Sequence, residues 1–181
     1  MFINGLAAGP VTYSPGGNSA QNNLSTMLTA PATIGPKAID QTAGVVGVVR
    51  AAVDPLGIQV TDIDPGAEPH LEIVLVGQGW PFSASYPSIA PFICDRFLGN
   101  MIGFVNAVPN RTDADLAGSV LFVIGVMNGL APTWQPGNCV AISPAGGATC
   151  TYANQVPIST SGCSGTTQDQ LTVLTTNLGC P

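Results

Sequence analysis

Phe122-Val-Ile-Gly-Val-Met-Asn-Gly-Leu-Ala-Pro132 is the stretch on which the reading of this chain turns. Upstream, Thr112-Asp-Ala-Asp115 has the form of a capping box, with Thr112 as N-cap and Asp115 reaching back to it. The spacing predicts a helix from there to about Asn128. Leu116, Val120, Val123 and Met127 form one apolar stripe, while Phe122 and Val126, one turn apart, project from a neighbouring stripe. Gly129 is the residue expected just past the helix, where it lets the chain leave in the left-handed conformation.

Outward from that helix, composition narrows the class. At 181 residues the chain reads as a single domain over 1–181, long enough for a sizeable core. Charged residues make up 8%, against a usual figure of about 25%. The missing charge is replaced by Ser, Thr, Asn, Gln, Gly and Pro, which is not the signature of disorder. So sparse a charge defends the surface weakly against association. The net charge of −6 sets ten carboxylates against Lys37, Arg50, Arg96 and Arg111, so no basic patch exists for nucleic acid. No apolar run reaches the roughly 20 residues of a membrane span. Nor does a basic segment followed by an apolar one open the chain, so a leader is expected to have been removed or never present.

Four of the five cysteines (Cys139, Cys150, Cys163, Cys180) lie in the Gly/Ser/Thr-rich last quarter, and none forms a C-x-x-C pair. The expected pairing is Cys139–Cys150 and Cys163–Cys180, with Cys94 left over; disulfides imply an oxidising compartment.

In chain order, 1–4 and 11–13 read as short strands, and Ser14 to Pro36 as loop. A helix is expected from Pro36 to about Val53, burying Ile39, Ala43, Val46, Val49 and Val53. Ile58 to Ile63 alternates as a strand, and Leu71–Val76 is apolar enough for a central one. Ile89–Cys94 is a short segment, Met101–Ala107 a strand, and Gln168–Asn177 a short helix. The expected fold class is α/β (α+β): a mixed twisted sheet of about five strands with two long helices, then a loop-rich, disulfide-tied part.

Several motifs are colinear with those of the secreted bacterial metzincin-type zinc metallopeptidases, which this chain resembles over most of its length. They are Phe2-Ile-Asn and Thr12-Tyr-Ser-Pro-Gly16, Val60-Thr-Asp-Ile-Asp-Pro-Gly66, Pro69-His-Leu-Glu-Ile-Val74 and Pro91-Phe-Ile-Cys94. The family motif H-E-x-x-H-x-x-G-x-x-H, aligned on Gly129, puts Phe122, Val126 and Pro132 at the three zinc-ligand positions and Val123 at the general base. Val140-Ala-Ile-Ser-Pro144 resembles the Met-turn, with Ile142 in the methionine's place. The resemblance implies a metzincin-like fold without its chemistry. Phenyl, isopropyl and pyrrolidine groups offer no lone pair to zinc, and Val123 cannot take a proton from water.

Other candidates have plainer readings. His70, the only histidine, is expected to be structural. Asp62, Asp64, Glu68 and Glu72 suggest calcium but lack the EF-hand spacing, so a solvated turn is favoured. Trp80, Phe82, Tyr86 and Trp134 could line a peptide or glycan groove. The sequons Asn23-Leu-Ser25 and Asn110-Arg-Thr112 matter only in a eukaryotic secretory host. The expectation is a catalytically inactive, extracellular domain (secreted or at the cell surface) without cofactor or metal, partnering itself as homo-oligomer or polymer, or another extracellular protein. A binding module using the former cleft is the alternative, and a peptidase with relocated ligands the second.

Overall fold

The computed structural model describes residues 1–97, 99–142, 150–159 and 163–178. Its centre is a four-stranded sheet in the order β1-β5-β7-β6, formed by β1 (Phe2–Asn4), β5 (Glu72–Val76), β7 (Ile102–Asn106) and β6 (Ser88–Ile89). The first three run parallel and the edge strand β6 antiparallel, so the sheet is mixed. The fold is α/β (α+β) as expected, but this sheet has four strands where about five were predicted. The run Ile58–Ile63 does not become the fifth. Only Thr61 bridges Phe2, and Ile63 is 76% exposed, so the segment flanks β1 without extending the sheet.

Strand periodicity splits the core. Ile73 and Leu75 of β5, with Val105 of β7, face a cluster completed by α1 (Thr42–Val53) and α2 (Asp113–Met127). Val74, Val76, Ile102 and Phe104 point the other way, towards Tyr13, Leu6 and Ile34. This second face is covered by a three-stranded sheet, β3-β2-β4, from β2 (Val11–Pro15), β3 (Leu24–Ser25) and β4 (Ala32–Ile34). The region read as loop between Ser14 and Pro36 therefore holds strands. Their composition is poor in apolar residues, and they form because Tyr13 and Ile34, both fully buried, anchor them to the central sheet. β5, covered on both faces, is buried along its whole length, as its apolar run predicted.

Helix α1 starts at Thr42 and not at Pro36. Gly35 bridges Gln78, which holds the chain extended there. Asp40 Oδ1 then accepts from Thr42 N at 2.9 Å and Thr42 Oγ1 at 2.6 Å, which turns the chain into the helix. Ile39 is left 71% exposed, and Val45, Val46, Val49 and Val53 form the buried face instead. The capping box of α2 is present as predicted. Thr112 Oγ1 accepts from Asp115 N at 3.2 Å, and Asp115 Oδ2 accepts from Thr112 N at 3.0 Å.

The last part comprises β8 (Val156–Pro157), β9 (Thr167–Gln168) and α3 (Gln170–Leu178). It is tied by Cys139–Cys150, as expected, and by Cys94–Cys163, which replaces the expected Cys163–Cys180. Cys94 is therefore not left over, because the loop after β6 passes within 5.3 Å, Cα to Cα, of Cys163. Cys180 lies outside the described residues. No helix among the described residues is long and apolar enough to cross a membrane.

Two predictions follow from this frame. The Cys94–Cys163 bond spans 69 residues and Cys139–Cys150 spans 11. Chain entropy assigns them about 4 and about 3 kcal/mol, so denaturant melts should show Cys94→Ala/Cys163→Ala as the more destabilised double variant. Gly129 has φ +88°, and a Cβ added there would meet the backbone of Asp95 and Arg96. Gly129→Ala should lose at least ~2 kcal/mol in the same melts, since the left-handed conformation alone costs about 1–2 kcal/mol and the methyl meets a backbone that cannot yield.

Candidate functional site

Helix α2 delivers Phe122 to a small apolar cavity of about 120 Å³, which it lines with Tyr86, Ser88 of β6, Ser119, Ala141 and Ile142. The other motif positions are elsewhere. Val123 is fully buried and packs onto Gly103 of β7, on the helix-covered face of the sheet. Val126 is 5% exposed in the same core. The carbonyl of half-buried Pro132 accepts from Ser159 N and Ser159 Oγ, both at 2.8 Å. Among the described residues no group of three or more His, Cys, Asp or Glu is placed to hold a metal ion. The side chains at these positions are hydrocarbon, and burial of Val123 and Val126 contributes roughly 1.5–3 kcal/mol each.

The segment around Ile142 is built by backbone pairing. Thr133 N donates to Val140 O at 3.0 Å and Ile142 N to Thr133 O at 2.8 Å. Ser143 and Pro144 lie outside the described residues. Ile142 is 40% exposed beside Phe122 at the cavity. Behind it, Gly125 of α2 lets Val140 and Tyr152 approach the helix backbone closely. Tyr152 Oη donates to Leu121 O at 2.6 Å, and burial raises its pKa.

Arg111 fixes the cavity's polar side. Its guanidinium donates to Asn106 O at 2.9 Å, Asp115 O at 2.5 Å and Ser119 Oγ at 2.5 Å. Burial lowers its pKa, which Asp115 partly offsets. Ser119 is thus held by a cation and faces no imidazole, because His70 lines a different cavity and rests edge-on against Phe2 at 5.9 Å. Of the four aromatics read as a groove, only Tyr86 lines the Phe122 cavity. Trp80 and Phe82 pack together at 5.1 Å, and Phe82 leans on Phe104 at 5.4 Å, on the second core. Trp134 is 69% exposed.

Two polar constellations escaped the sequence reading. Glu72, read there as part of a solvated acidic turn, is 3% exposed within β5. Its Oε1 accepts from Asn4 Nδ2 at 2.6 Å and Tyr13 Oη at 3.0 Å. Burial raises its pKa, against the lowering effect of those two hydrogen bonds. The alternation of β5 was the one available signal, since it puts Glu72 on the same face as Val74 and Val76. The second constellation is Gln168, which donates to Gly129 O at 3.0 Å and to Asp95 Oδ1 at 2.7 Å, and accepts from Ala131 N at 2.9 Å. Nothing in a Ser/Thr/Gln-rich stretch distinguishes it.

The fold holds the proton of Glu72 to a higher pH than the unfolded chain does. Stability therefore falls as pH rises above the unfolded value of about 4.3 and through the folded one. In chelator, thermal melts of Glu72→Gln should gain on the unsubstituted protein between pH 4 and pH 7, with no advantage below pH 4. No known family profile, curated protein or solved structure matches this chain.

Proposed function

We propose that this chain is a catalytically silent, metzincin-like domain that works outside the cell by association. The carrying observation is the apolar cavity at Phe122. The side chain at the first aligned ligand position opens onto a hollow whose rim, Tyr86 and Ile142, is 53% and 40% exposed. A hollow of that size accepts one apolar side chain, and exposed apolar patches on a charge-poor surface are where partners dock. The partner in the first reading is a second copy of this chain, because Ile39, Ile63 and Trp134 add further exposed apolar surface with few charges to oppose contact. Two disulfides fit an oxidising, extracellular setting. Tyr86 on the cavity also favours a second reading, a peptide-binding module using the former cleft.

Light scattering coupled to sizing, over a wide concentration range, tests this. The protein should form dimers or larger species, and Tyr86→Asp or Ile142→Asp should weaken them by about 10- to 100-fold, the equivalent of one lost apolar anchor. A monomer at every concentration overturns self-association. A peptide library then decides for the module if capture is lost in Tyr86→Ala. Stoichiometric zinc in protein purified without chelator, together with casein cleavage, would overturn the silent reading altogether.

A further inference from the structure

The two disulfides differ in how easily a reductant reaches them. Cys139 is 4% exposed within the helix-side core, and Cys150 packs against that core. Cys94 and Cys163 are both half-buried. Cys163 also lines a surface cavity of about 200 Å³ together with Asp95, Thr167, Gln168 and Asp169, and no Lys or Arg lines it. Exchange requires a thiolate to meet a disulfide sulfur, so accessible bonds are the labile ones.

Each bond also secures a different part of the Phe122 cavity. Three segments line that cavity: α2, the run from Tyr86 to Ser88, and Ala141 with Ile142. Cys139 stands just before Ala141, so the buried bond holds that segment. Cys94 ends the loop that follows Tyr86 to Ser88. Strand β6 is two residues long and lies at the sheet edge, so its seat depends on what holds the chain beyond it. Asp95 does so by donating to Gly129 O and accepting from Gln168 Nε2, and Cys94 does so through Cys163.

We propose that Cys94–Cys163 is a redox latch on the Phe122 cavity, opened by neutral or cationic thiols while Cys139–Cys150 stays closed. A thiolate attacks the Cys163 sulfur, forms a mixed disulfide and expels the Cys94 thiolate, which takes up a proton. A second thiol of the reductant then displaces Cys163, which is protonated in turn. Two electrons enter the protein, and the reductant leaves as its disulfide. Asp95 and Asp169 repel an anionic thiolate on approach and attract a thiol that carries an ammonium group. The effect on a partner rests on the association reading, whereas the opening itself is read without any partner.

Graded dithiothreitol under native conditions, after iodoacetamide has blocked any thiol already free, tests the latch by second-label alkylation and peptide mass mapping. Cys94 and Cys163 should label at reductant concentrations at least about tenfold below those that label Cys139 and Cys150. In the singly reduced protein, amide exchange over 86–96 should quicken at least about tenfold, with α2 unchanged, and reoxidation should restore it. Light scattering on the same sample should show self-association weakened about tenfold. At equal thiolate concentration and low salt, cysteamine should form the mixed disulfide faster than glutathione. The proposal is overturned if the two bonds open together or in the reverse order, or if exchange over 86–96 is unchanged. It is also overturned if dimers persist unweakened, or if glutathione matches cysteamine. Protein that is monomeric in both states yet loosened over 86–96 sinks the association reading and leaves the latch standing.

Discussion

The carbonyl of Gly129 is the point on which the molecule depends. It accepts from Asp95 N at 3.0 Å and from Gln168 Nε2 at 3.0 Å, so the end of α2, the loop after β6 and the final hairpin all meet at one oxygen. Only a residue at positive φ and without a side chain brings that oxygen within reach of both donors. The Cys94–Cys163 bond ties the residue before Asp95 to the segment that leads into Gln168. Hydrogen bond and covalent bond therefore enforce a single docking of the loop-rich part on the helix. A reciprocal amide pair, Asn138 with Gln170 at 2.8 and 3.1 Å, secures the other side. Where regular structure is scarce, the buried amides of Asn138, Gln168 and Gln170 perform the role that ladders perform elsewhere, each matched on both its oxygen and its nitrogen, while Asn128 Oδ1 has no partner among the described residues.

The two-sided sheet explains why the chain has two unlike hollows. One face of β5 and β7 is covered by α1 and α2, both apolar, and the hollow at its border with Ala141 and Ile142 is apolar in turn. The other face is covered by short strands, and Asn4 and Glu72 line the cavity beside them that His70 also lines. Asn4, Tyr13 and Glu72 meet there because β1 and β5 pair in parallel with Phe2 opposite Glu72. Separate faces with separate chemistry allow a change at one hollow without repacking the other.

Legibility followed the locality of the signal. Both ends of α2 could be read because a capping box and a C-terminal glycine act within four residues. The burial of β5 could be read because Leu71 and the four successive positions Ile73 to Val76 are apolar, with Glu72 the exception. The start of α1 could not, since Pro36 suits a first helical turn but the bridge from Gly35 to Gln78 comes from a distant strand. The same non-locality hid β2 to β4 and the partner of Cys163. At the candidate site, that the side chains of Phe122, Val126 and Pro132 carry no atom able to ligate a metal was plain from residue types. That Phe122 alone reaches the cavity, and that Trp80 and Phe82 belong to the opposite core, depended on side-chain direction and packing.

The long-range cystine has a consequence for biogenesis. Its second sulfur lies so far along the chain that the bond cannot close until almost all of the domain has emerged from the ribosome. Until then Cys94 stays a free thiol, able to capture Cys139 or Cys150 first. Any such wrong pairing is undone only by thiol exchange, on the seconds-to-hours scale of disulfide reshuffling.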